Sequence, residues 1–103
     1  MSSAIYMKFE EPVEPDKWDA FCAAHKIEYS PYTVGGNIYY FLGNGGVEIR
    51  FRPGDIVAST FFMGDAVPAV AEIAARIVKE LRASSWTCDP ELDELMQHEM
   101  MED

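Results

Sequence analysis

The chain has 103 residues, of which 49% are hydrophobic and 13% aromatic. That suffices for one domain with a single core and excludes wholesale disorder. Its net charge is -10, from 18 acids against 8 Lys and Arg, so it lacks the cations that contacts to DNA, RNA or anionic lipid demand.

Two cysteines are too few for a disulfide-rich secreted scaffold. The first twenty residues hold no unbroken apolar run, and every apolar run along the chain is strand-length. These features predict a cytoplasmic protein with reduced cysteines and no membrane partner. The charge is uneven. Residues 89–103 hold seven acids and no Lys or Arg. Residues 1–28 carry six acids against three lysines, and residues 29–88 balance five acids with five bases. The chain therefore divides into a core domain, 1–88, and an acidic C-terminal helix or tail, 89–103.

In chain order, Ala4 to Glu10 alternates Ile5, Met7 and Phe9 with Tyr6, Lys8 and Glu10, a half-buried strand. Pro12 and Pro15 break it. Asp16 is placed to cap a helix whose stripe is Trp18, Phe21, Cys22 and His25. Tyr29 to Gly36, with Ser30-Pro31 and Gly35-Gly36, reads as a loop. Three strands are expected next: Asn37 to Leu42, Val47 to Arg52, and Asp55 to Met63. Gly43-Asn44-Gly45-Gly46 reads as a hairpin loop between the first two, and Pro53-Gly54 as the following turn.

Gly64-Asp65 is expected to open the longest helix, with Val70, Ile73, Ala74, Ile77, Val78 and Leu81 on its apolar side and Ser84-Ser85 at its end. Trp86 to Cys88 fits a short strand. Asp89-Pro90 then supplies an N-cap and an N1 proline in order. The predicted class is α+β: a two-layer domain with a mainly antiparallel sheet and two main helices on one face. The middle part echoes the α-β-β-β-α order of double-stranded RNA-binding domains in topology alone. Where those domains need lysines opening the last helix, this chain reads Asp65-Ala66-Val67-Pro68.

Chemistry-bearing motifs are few. Cys22-Ala23-Ala24-His25 has half a metal spacing, but core packing on the Trp18 stripe accounts for both residues, and Cys88 to His98 is too loose for a second half. Cys22 as a nucleophile lacks an electropositive setting and an orienting group. No cofactor, metal site or enzymatic role is predicted.

Two surfaces stand out instead. Arg50 and Arg52 leave one face of their strand. With Leu42 opposite Val47, Tyr39 faces Arg50 and Phe41 faces Glu48, so that face gathers aromatics beside arginines, with Val57 and Phe61 from the next strand. Such a composition suits a binding surface. It also suits a face covered by the chain itself, and the terminal helix is the obvious cover. On that helix Leu92, Leu95, Met96 and Met100 share one side, with Glu91, Asp93, Glu94 and His98 elsewhere. It can dock on its own domain, fill a basic groove of a partner, or hang free.

The leading expectation is a non-enzymatic protein-interaction module. It would bind a basic protein, plausibly a nucleic-acid-binding one, through Glu91, Asp93 and Glu94 with Leu92, Leu95 and Met96 for grip, as a nucleic-acid mimic does. Size, charge and missing motifs liken it to immunity proteins and phage-encoded inhibitors. The alternative is a small-molecule-binding or homodimeric domain using Tyr39, Phe41, Arg50 and Arg52.

Overall fold

The computed structural model describes residues 3–35, 37–42, 46–60 and 66–101; the side chains of residues 28–34, 37, 41 and 42 are outside that description. Nine elements follow one another: β1 (Ser3–Lys8), α1 (Pro15–Ala24), β2 (Ile27–Val34), β3 (Asn37–Leu42), β4 (Glu48–Arg52), β5 (Asp55–Thr60), α2 (Val67–Leu81), β6 (Ser85–Cys88) and α3 (Pro90–Met101). The strands form one sheet in the order β2-β3-β4-β5-β1-β6, and every pairing is antiparallel. The helices lie over one face, the two-layer α+β arrangement expected.

Alternation decides which face is covered. Ile5 and Met7 of β1, Ile49 and Phe51 of β4, and Ile56 and Ala58 of β5 are buried in one core with the helices. α1 is anchored there by Trp18, whose ring stacks on Phe51 at 5.0 Å and meets Tyr40 edge-on at 5.6 Å. α2 buries Val70, Ile73, Ala74, Ile77 and Val78, the stripe its periodicity predicts. α3 continues the same layer. Its Leu92 and Met96 are fully buried within that core, with Leu95 and Met100 packed at its border. Helix α3 thus packs on the core through its apolar side.

Four expectations need correction. The segment read as a loop is β2, an eight-residue strand at the sheet edge. Pro31 has no N–H to give a ladder, which an edge strand tolerates, and the register with β3 shifts between Glu28 and Tyr32, the stretch that contains it. This strand also ends the likeness to an α-β-β-β-α order, because four strands now separate α1 from α2.

Asp16 is not the first helix cap. Glu14 is, and Pro15 opens the helix, where a missing N–H costs nothing. α2 starts at Val67 with Pro68 in its first turn; Gly64 and Asp65 lie outside the described residues. It ends at Leu81, where Arg82 turns left-handed at φ 59° and Ala83 N–H donates to the Val78 carbonyl. Ser84 follows that turn and donates through its N–H and its hydroxyl to the Lys8 carbonyl. The expected hairpin loop at Gly43-Asn44-Gly45 and the end of the fifth strand, 61–63, also lie outside the described residues. Gly46 is described: at φ +83° with the Ala66 Cβ 3.3 Å from where its own would be, it has reason to be glycine.

The docking of α3 has a measurable signature. Leu92→Ala or Met96→Ala is expected to cost about 2–5 kcal/mol in urea denaturation, the usual range for a buried truncation. Met101→Ala is the control, since that side chain is 83% exposed. A free tail would lose nothing at any of the three.

Candidate functional site: the open sheet face and the acidic helix

The face of the sheet away from the helices is organised in rows by the strand register. The first row runs Tyr39, Arg50, Val57, Tyr6, Thr87 across β3, β4, β5, β1 and β6. The second runs Phe41, Glu48, Ser59, Ala4. The third runs Arg52, Asp55, Lys8, Ser85. The expected pairs Tyr39–Arg50 and Phe41–Glu48 are present as read from sequence. Phe41 is placed by its backbone only, and Phe61 lies outside the described residues.

Arg50 is half-buried and reaches diagonally to Asp55, Nη2 to Oδ1 at 3.1 Å. Its Nε is buried without a hydrogen-bond partner, so the pair holds the guanidinium against a local desolvation cost. Arg52 is exposed at the sheet's end. Tyr39 is half-buried, and Tyr6 is 50% exposed. Between these larger side chains, Ala4, Ser59 and Val57 floor a shallow recess of about 240 Å³ that Glu48 and Arg50 border. Among the described residues no element covers this face.

Sequence reasoning missed Tyr6, Ala4 and Ser59 as part of this surface. Tyr6 does alternate away from Ile5 and Met7, a usable signal. What was not local was the position of β1 beside β5, which brings Tyr6 next to Val57.

The terminal helix resolves differently from expectation. It does dock on its own domain, but against α2 and the far side of the sheet. Lys79 Nζ donates to the Glu99 carbonyl at 2.9 Å and ties the two helices. Leu92 and Met96 therefore cannot grip a partner while the helix stays docked; burial in the core occupies them. Leu95 is half-buried, Glu91 and Glu94 are exposed, and Asp93 is half-exposed. The candidate residues on the sheet and those on α3 lie on opposite layers and do not form one site, and Leu92 and Met96 are inside the core.

The thiol candidates separate as well. Cys22 is fully buried and its thiol is pushed up to about 12, by burial and then by Asp19. His25 packs its ring against Phe21 at 4.3 Å and, at the border of the core, places its Nε2 3.0 Å from a Glu80 carboxylate oxygen. Cys88 is on β6, with its thiol raised to about 11 by burial, Asp93 and Asp89. Both surroundings favour the neutral thiol, the opposite of what nucleophilic or ligating sulfur needs. Among the described residues no three His, Cys, Asp or Glu converge as a metal site, and no helix is long and apolar enough to cross a membrane.

The phenol of Tyr40, raised by burial, adds to an alkaline loss of stability in which the two thiols take part. Each thiol has its folded pKa above the 9.0 of the open chain, so their contribution is complete below that pH and lost as pH rises toward 11–12. The urea midpoint should fall between about pH 8.5 and 10.5, and Cys22→Ala should flatten that fall. An equally steep decline in the variant would remove the thiol as its cause. Compared with protein-family models, with curated proteins and with solved structures, the chain matches none.

Proposed function

We propose that this chain is a non-enzymatic protein-binding module whose partner is a basic protein, of the kind that binds nucleic acid, engaged through the acidic surface of α3. The observation that carries the reading is the way α3 is mounted. Buried Leu92 and Met96 hold the helix on α2, and Glu91 and Glu94 project outward from it. Acids on a docked helix are pre-organised and lose little freedom on binding. Three residues apart, they share a side of the helix.

A charge of -10 on a body only 30 × 26 × 24 Å adds long-range steering toward a cationic groove. Occupying such a groove competes with the nucleic acid it normally holds, which supports an inhibitory role of the immunity or phage-inhibitor kind. The two thiols, both raised by burial, give no support to cysteine-based catalysis, which is consistent with a binding role.

The test is retention on an immobilised folded basic protein, with the same protein lysine-acetylated as reference, over a salt series. Wild type is expected to bind at low salt and elute as salt rises. Glu91→Lys with Glu94→Lys should weaken binding about 10-fold, from roughly 0.5–1 kcal/mol per reversed exposed charge. Binding that ignores both salt and the double variant would overturn the proposal.

A further inference from the structure

The open sheet face has a pattern of its own, independent of the acidic helix. Large and small side chains are sorted by row. Tyr6 stands in the first row and Ala4 beside it in the second; Val57 and Ser59 are neighbours in the same sense. Charge is sorted likewise, with Arg50 in the first row and Glu48 in the second, two residues apart on β4. A two-fold axis lying between two such faces, running across the strands and between the rows, sets each first row over the other copy's second row. Tyr6 then meets the recess above the partner's Ala4, and Arg50 meets the partner's Glu48, each contact occurring twice.

We propose that this face binds a second copy of the chain, sheet to sheet, with Tyr6 filling the partner's recess and Arg50 paired with the partner's Glu48. Three observations favour a second copy over another occupant. The recess is about 240 Å³ and bordered by the half-exposed tyrosine of the same face, so plug and socket are present on one surface. The charges are self-complementary, which an isologous contact requires. The face is also the part of the molecule where bases offset acids: Lys8, Arg50 and Arg52 stand with Glu48 and Asp55.

Meeting there keeps the two acidic helix layers outward. With layers spaced roughly 10 Å, they end about 30 Å apart, nearly four Debye lengths of about 8 Å at physiological salt. The patch is modest. Five strands at roughly 4.8 Å and three rows give on the order of 400 Å² of projected face per copy, which places the dimer at the weak end of specific interfaces.

Sedimentation equilibrium of the full chain from about 10 μM to about 1 mM should show mass rising from 11.6 kDa toward twice that value. Tyr6→Arg, Glu48→Arg and Arg50→Glu should each remain monomeric over that range. Mixing the Glu48→Arg and Arg50→Glu chains should restore the dimer, since the first carries two bases where the second carries two acids. The double variant Glu48→Arg, Arg50→Glu should dimerise with itself. Recovery in the mixture also proves both single variants folded. A wild-type monomer at every concentration overturns the proposal, as does a dimer that survives Tyr6→Arg and Glu48→Arg. A mixture that stays monomeric overturns the Arg50–Glu48 pairing.

Discussion

Burial of Leu92 and Met96 against α2 assigns both faces of this molecule at once. An antiparallel sheet can leave one face to solvent, and a terminal amphipathic helix can cover either side. Here the helical layer takes it. The apolar stripe of α3 is spent on the layer that already holds α1 and α2, so among the described residues no helix lies over Tyr6, Tyr39, Arg50 and Val57 on the opposite face. The acids follow from the same choice. With one side of α3 committed to the core, its charge can only face outward, and the molecule becomes two-sided: acidic above, mixed and aromatic below.

Some of that acidity has a local reason. Glu91 and Asp93 lie in the first turn of α3, where the unpaired N–H groups of a helix favour negative charge. Asp93 also bears on Cys88 and helps keep its thiol neutral. Glu94 and, ahead of α1, Glu10 and Glu11 have no such explanation in the fold, whereas Glu14 sits at the N-terminus of α1. The distinction matters for reading charge as function. The first-turn acids serve the helix itself, whereas Glu94 lies beyond that turn and is the more informative charge for the proposed binding surface.

Sequence alone was legible where the signal was local. Val47, Ile49 and Phe51 alternate so cleanly with Glu48, Arg50 and Arg52 that the β3–β4 register, and with it the Tyr39–Arg50 pair, follows from one hairpin. The α2 stripe and the Asp89-Pro90 helix start were equally plain. Local signals misled at β2, where Ser30-Pro31 and Gly35-Gly36 carry the chemistry of a loop although the segment pairs along an edge. They were silent on two matters that shaped the surfaces. Nothing near Tyr6 says that β1 will lie between β5 and β6. Nothing in the α3 stripe says which side of the sheet it will choose, because an apolar stripe fits any apolar surface.

The place of β1 bears on how the molecule is made. Ile5, among the first residues of the described chain, is flanked by Ala58 on one side and Cys88 on the other. Both neighbours lie far along the sequence, so β1 is held in the sheet only by long-range pairings. Contacts this distant in sequence slow folding. They also tie β1 to elements late in the sequence, so that loosening β6 would uncover the edge of β1, the next strand in from that side of the sheet.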